Sequence, residues 1–277
     1  MEEGFFFDVD GSRLFAMAHR PGGAARGVAV VVCHPYGEEK QLSYPVLVGF
    51  ARRLAEDGFP ALRFDARGYG DSTGEIEDAT VETHIADTLA AARLARERLG
   101  VARIVLLGLR FGGLIAALAA ERDAACAGLV LWSPTVSGSQ YVDDMIRKRL
   151  FAEVLAKRKV SRADITAELE RAGRLEIEGN FLTRGLRDEA AAIELPAAVK
   201  TFRGPVLVAT LGQGDAVPAP VAALARAYEE LGAATTVEVS PAQAFWERNA
   251  MYDLYVPDDL FGRTERWLDA QWPRASR

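Results

Sequence analysis

Residues 104–113 read Ile104-Val105-Leu106-Leu107-Gly108-Leu109-Arg110-Phe111-Gly112-Gly113. A short apolar run closed by glycines reads as a buried strand that turns sharply into a helix. Gly108 and Gly112 frame the turn as in Gly-x-Ser-x-Gly elbows, which lift one side chain above the end of a sheet. The side chain lifted here belongs to Arg110. A guanidinium stays protonated and carries only hydrogen-bond donors, so it cannot attack a carbonyl as a serine hydroxyl does. The frame of a nucleophile elbow is present and its nucleophile is missing.

Working outward, strands and helices alternate. Phe5–Val9 and Arg13–Ala18 flank Asp10-Gly11, a dipeptide suited to a two-residue hairpin. The apolar run Gly27–Cys33, the stretch Pro60–Asp65, Val101–Gly108, Gly128–Trp132, Pro205–Leu211 and Thr235–Val239 read as strands. Helical spacing or composition marks 43–57, Ala79–Leu99, Phe111–Glu121, Pro218–Leu231 and Asp258–Ala270. Such alternation predicts an α/β fold, a mostly parallel central sheet flanked by helices. Between Ser133 and Phe202 the rhythm breaks into two amphipathic segments, Tyr141–Lys157 and Arg162–Ala172, and a short stretch around Glu178-Gly179. The expected division is a core of residues 1–135 and 203–277 with a mostly helical cap inserted at 136–202.

The composition narrows the function classes. With 33 basic and 39 acidic side chains the net charge is −6, and no block of one sign accumulates, which argues against nucleic acid as a partner. No stretch is long and apolar enough to span a bilayer, and the start of the chain lacks a signal-peptide pattern, so a cytoplasmic protein is expected. Cys33 and Cys126 both fall in apolar strands and read as reduced, inert core thiols. No metal and no cofactor is expected.

Three further fragments carry chemistry. His34-Pro35-Tyr36-Gly37-Glu38-Glu39-Lys40 follows the first long apolar strand. Arg63-Phe64-Asp65-Ala66-Arg67-Gly68-Tyr69-Gly70-Asp71-Ser72 follows the next, and its Asp65 and Arg67 are expected to pair and brace the loop. Leu207 to Pro218, holding Gly212-Gln213-Gly214-Asp215, resembles the strand and loop that deliver the acid of a catalytic triad, which implies Asp215 as the candidate acid.

Together with the elbow, these fragments resemble the α/β-hydrolase fold, in its serine aminopeptidase-like branch. The fragments at 34–40 and 108–112, with Leu131-Trp132-Ser133-Pro134-Thr135-Val136-Ser137-Gly138 and Ala244-Phe245-Trp246, are similar to the exosortase A system-associated hydrolases. In that group arginine is usual at the elbow, which implies that Arg110 belongs to the group and is no accident of this chain. The resemblance implies that the loop at His34–Gly37 lends a backbone N–H to an oxyanion hole. It also implies the chain order nucleophile, acid, histidine, and therefore a histidine beyond Val239. The three histidines, His19, His34 and His84, all precede the elbow.

Two triad roles are thus vacant, and the expectation is a degenerate hydrolase. It would bind a small acyl-type or anionic molecule between cap and core, or a protein partner, without serine chemistry. The candidate binding residues are Arg110, Tyr36, Gly37, Glu38, Phe111 and Trp246, with Arg110 facing Glu38, Glu39 or Asp215 and Phe245 and Trp246 walling the pocket. The competing expectation is an active ester, thioester or amide hydrolase with a relocated constellation of His34, Asp215 and Ser133 or Ser43. A structural subunit of an export or polysaccharide-biosynthesis system is the third, and self-association is compatible with any of them.

Overall fold

The computed structural model describes residues 1–247 and 255–274, so that 248–254 and 275–277 of the expected core lie outside the described residues. The chain opens with the antiparallel pair β1 (Glu2–Val9) and β2 (Ser12–His19), joined through Asp10 and Gly11, both at positive φ. That is the backbone a tight two-residue hairpin needs. There follow β3 (Val28–Cys33), α1 (Glu38–Glu56), β4 (Ala61–Phe64), α2 (Val81–Leu99), β5 (Arg103–Leu109), α3 (Phe111–Ala120) and β6 (Cys126–Trp132). After β6 come α4 (Gly138–Leu155), α5 (Arg162–Ala172), a two-stranded hairpin of β7 (Arg174–Ile177) and β8 (Asn180–Thr183), then α6 (Arg184–Ala191) and α7 (Leu195–Ala198). β9 (Val206–Leu211), α8 (Ala219–Glu230), β10 (Thr235–Ser240) and α9 (Asp258–Gln271) complete the described elements.

The large sheet has the order β1-β2-β4-β3-β5-β6-β9-β10. Only the β1–β2 and β2–β4 pairs are antiparallel; the remainder run parallel, as the alternation of elements predicts. Buried on both faces, β3 shows how the core divides. Ala29, Val31 and Cys33 join the cluster under α2 and α3, while Val28, Val30 and Val32 join the cluster under α1 and α9. Side chains alternate between the faces of a strand, so an unbroken apolar run is what a doubly covered strand requires. Each such valine contributes roughly 1.5–3 kcal/mol on full burial.

Local chemistry sets the helix ends. Thr80 and Thr83 form a reciprocal capping box at the start of α2, and Gly100 closes that helix at φ 68. α1 begins at Glu38, five residues before the sequence reading placed it. Glu38 and Glu39 give its first turn the negative charge that a helix N-terminus favours, although 38–42 lacks an apolar period to signal it. Pro45 sits inside α1. Its missing N–H costs the helix one internal hydrogen bond.

The expected Asp65–Arg67 pair does not form. Arg67 turns to α2 and meets the fully buried Asp87 at 2.6 Å, and Asp65 turns to α1 and meets Lys40 at 2.7 Å. The intervening loop needs Gly70 at φ 55, since a Cβ there would stand 2.1 Å from Asp65 Oδ2. Each charge therefore braces a different helix to the loop.

Candidate functional site

The elbow is built around Arg110, at φ 55 and ψ −119 between β5 and α3. Non-glycine residues rarely adopt this region, and where they do the surrounding structure holds them in it. Here the hold is visible: the Arg110 N–H donates to Trp132 O at 3.0 Å, and its carbonyl accepts from Gly113 and Thr135. A Cβ on Gly108 would stand 2.3 Å from Gly112 O, and one on Gly112 would stand 2.2 Å from Cys33 O. The two glycines let β5, α3 and the end of β3 close to contact distance. The first amides of α3, starting at Phe111, have no carbonyl within their own helix to bond.

The guanidinium reaches across to α1. Its Nε and Nη2 each lie 3.4 Å from Glu39 Oε1, and Nη1 lies 3.5 Å from Ser133 O. Glu39 is 8% exposed, and its other oxygen, Oε2, is buried with no hydrogen-bond partner. Burial pushes the Glu39 carboxyl up, against the pull of Arg110 and Lys148. On the far side, the Arg110 guanidinium lies 5.4 Å from the centroid of the Trp246 ring. Trp246 belongs to the segment after β10, where the chain order calls for a histidine, so a cation–π contact stands where a serine–histidine pair is expected.

Two cavities meet at Arg110. The larger, about 450 Å³, lies between the elbow and α4 with the β7–β8 hairpin, with Tyr36, Glu39, Tyr141, Met145, Phe151 and Asn180 among its walls. The smaller, about 210 Å³, has a hydroxyl-rich wall that includes Ser133, Thr135, Ser137 and Thr210. Arg110, Tyr141 and Asp144 border both. Around the larger cavity stand five carboxylates, Glu38, Glu39, Asp144, Glu178 and Glu247, against three cations, Arg110, Arg147 and Lys148. Each of those cations is already ion-paired, to Glu39, Asp144 and Glu178 respectively. The site is acid-rich and presents no surplus positive charge.

Tyr36, Gly37, Glu38 and Arg110 are brought together on the wall of the larger cavity. The Gly37 N–H is taken by the Tyr69 hydroxyl at 3.1 Å, and the Tyr36 hydroxyl donates to Phe181 O in the hairpin. Phe111 and Trp246 wall neither cavity: Phe111 stacks on Tyr141 with centroids 5.2 Å apart, and Trp246 packs edge-on against the buried Phe245. Asp215 is exposed in the loop after β9 and makes no ion pair among the described residues.

His34 lies elsewhere. Both its ring nitrogens are buried without a hydrogen-bond partner, and its ring stacks on Tyr44 at 5.9 Å. Burial, reinforced by Lys40 and Arg63, holds its pKa well below the usual histidine range. No hydrogen bond joins it to Asp215, Ser43 or Ser133, and Ser43 spends its hydroxyl on the Glu39 carbonyl at 2.7 Å. The structure does not assemble these four residues into one constellation. Cys33 is fully buried and its thiol is pushed up to about 12, in keeping with an inert core residue. Among the described residues no group of three or more His, Cys, Asp or Glu side chains is placed to hold a metal ion.

Glu39, Tyr141 and Asp144 complete the site. Glu39 was legible as one of three partners for Arg110, whereas Tyr141 and Asp144 carried no signal beyond the helical spacing of α4.

The profile of the serine aminopeptidase S33 family matches residues 24–191, from before β3 to the end of α6. A quorum-quenching protein of Acinetobacter baumannii, AidA, is 27% identical over 135 residues, which cover 48% of this chain and 43% of that protein. Among solved structures, Est1E of Butyrivibrio proteoclasticus with ferulic acid bound superposes with a TM-score of 0.69 at 20% identity, covering 96% of this chain and 98% of that one. An esterase of Pyrococcus furiosus reaches 0.68 at 14% identity over 98% and 91%. At such identities the likeness is one of fold, and the fold is that of the α/β-hydrolases. With more than half of its length matched by the profile, the chain belongs to the serine aminopeptidase S33 family.

Proposed function

We propose that this protein binds a small acyl-type molecule at Arg110, in the cavity between the core and a cap formed by residues 136–202, and forms no acyl-enzyme. The observation that carries this reading is Arg110 in an intact elbow, ion-paired to the buried Glu39 and stacked against Trp246. The elbow backbone is built at the cost of strain, so what it presents is a positioned group. Arg110 presents donors to a carbonyl or carboxyl oxygen, and Glu39 Oε2, sealed and unpartnered, becomes an acceptor for a hydroxyl or N–H of the same ligand once the carboxylate turns toward the cavity. The surplus of carboxylates favours a neutral acyl group over a free multivalent anion. Similarity to the exosortase A system-associated group, in which arginine is usual at this position, supports a rebuilt site, and on this reading the protein is a pseudoenzyme of that group.

A second reading is hydrolysis without a covalent step, and one observation favours it. Glu39, with its raised pKa and unpartnered oxygen, has the character of a general base that takes a proton from a water molecule. That water would attack a carbonyl whose developing charge faces Arg110 and the first amide of α3. The names of the similar proteins, esterases and a quorum-quenching protein, support an acyl substrate for it.

Thermal-shift and calorimetric titration with a panel of short-chain esters, lactones, amides and carboxylates tests the binding reading. A hit bound by the wild type and lost in both Arg110→Ala and Glu39→Gln supports it; a hit indifferent to both variants removes its basis. Sustained release of acid from a bound ester, abolished in Glu39→Gln, replaces the binding reading with the second.

A further inference from the structure

We propose that the exposed end of α4 and the loop after it form a docking surface for an anionic lipid bilayer. The stretch 146–160 reads Ile-Arg-Lys-Arg-Leu-Phe-Ala-Glu-Val-Leu-Ala-Lys-Arg-Lys-Val. Within it Phe151, Val154 and Leu155 are 63%, 66% and 67% exposed. These three large apolar side chains share one turn of helix, whereas the other exposed apolar residues of the described chain are scattered. Single exposed apolar groups are ordinary; a cluster on one helical turn marks a surface that something covers.

The charge around that turn selects the partner. The stretch holds six cations, Arg147, Lys148, Arg149, Lys157, Arg158 and Lys159, and a single acid, Glu153, in a protein whose net charge is −6, while acids outside it, Asp144, Glu178 and Glu168, pair with Arg147, Lys148 and Arg149. Glu153 is 2% exposed and lies beneath the surface, held by Arg149 and Arg158. Beside the apolar turn, the exposed Lys157 and Lys159 form no ion pair among the described residues and leave that loop cationic. Apolar side chains flanked by unpaired lysines match an interface of acyl chains beneath anionic head groups. Three side chains are a small core for a protein interface, which buries about 800 Å² on each partner. No helix of the described residues is long and apolar enough to cross a membrane, so the contact is peripheral.

The placement has a consequence for the site. Phe151 also stands on the wall of the 450 Å³ cavity, so the docked face adjoins the cavity mouth. A ligand dissolved in the bilayer would reach Arg110 without crossing bulk water. The docking surface itself does not depend on what the cavity binds.

Co-sedimentation of the full chain with phosphatidylcholine vesicles, with and without phosphatidylglycerol, tests the proposal. The wild type is expected to pellet with the anionic vesicles and to remain in solution with the neutral ones. The double variant Lys157→Glu/Lys159→Glu should weaken binding by about tenfold or more, as loss of two surface cations dictates. Val154→Ser/Leu155→Ser should weaken it severalfold, with the melting temperature of both variants unchanged because these side chains are exposed. Wild-type protein that stays in solution with anionic vesicles overturns the proposal, as do variants that pellet like the wild type. Sedimentation velocity without lipid supplies the other arm: a monomer is expected, and a dimer dissolved by Val154→Ser/Leu155→Ser would assign the surface to a second copy and overturn the lipid assignment.

Discussion

Arg110 holds one oxygen of Glu39 through two nitrogens at 3.4 Å and leaves the other oxygen buried and unbonded. The pair occupies the ground where a hydrolase of this fold keeps its nucleophile. Arg110 is also strained, at φ 55 and ψ −119, a region that glycine enters freely. Arg110→Ala and Arg110→Gly remove the same contact with Glu39, so their difference reports the backbone alone. Arg110→Gly is expected to be the more stable by about 1 kcal/mol in urea denaturation.

The glycine frame should tolerate nothing larger. Gly112→Ala places a Cβ 2.2 Å from the Cys33 carbonyl, and backbone cannot yield as a flexible side chain can. A loss of about 3 kcal/mol is expected, at the upper end of ordinary overpacking. Gly100→Ala provides the contrast: nothing lies within 4 Å of its Cβ, so only its φ of 68 opposes the change. Its cost should be about 1 kcal/mol. Chemical denaturation of the two variants measures both.

Stability should fall on mild acidification. His19, His34 and His84 all have pKa values lowered in the folded protein by burial, His19 from 6.5 to about 4. Below their ordinary range the unfolded chain binds protons that the folded chain refuses, so ΔG of unfolding rises with pH across this window. For His19 the loss begins as pH drops through about 6.5 and is complete near 4. The neutral ring accepts from Arg63 Nε at 3.0 Å, with Nδ1 3.1 Å from Glu2. Melting curves in buffers on either side of that window should show the decline, and His19→Gln, which cannot take up a proton, should show a smaller one.

The fold was legible because its signals are local and redundant. Apolar runs, the Asp10-Gly11 hairpin and the glycines that end helices each mark an element from neighbouring residues. α6 and α7 escaped because they are short and their apolar residues face α4 and α8, contacts that no local pattern announces. The absent serine and late histidine were equally plain in sequence. What could not be read was pairing at a distance: Arg67 with Asp87 in place of Asp65, which of Glu38, Glu39 and Asp215 meets Arg110, and His34 sealed against Tyr44. Those partners are chosen by how helices pack on the sheet. Charge and hydrogen-bonding capacity can be read from a residue's type, but the direction in which it points is set by tertiary structure.

On the proposed reading Arg110 stands in place of a nucleophile, and no serine has taken over its role. Intact-protein mass spectrometry after prolonged exposure to a fluorophosphonate probe tests this most directly, because an activated serine is marked irreversibly whatever its substrate. The expected spectrum shows the unmodified mass alone, for the wild type and for Arg110→Ser, which restores a hydroxyl without the histidine needed to activate it. A stoichiometric adduct on a single serine of the wild type would show instead that a serine carries acyl-transfer chemistry in this protein.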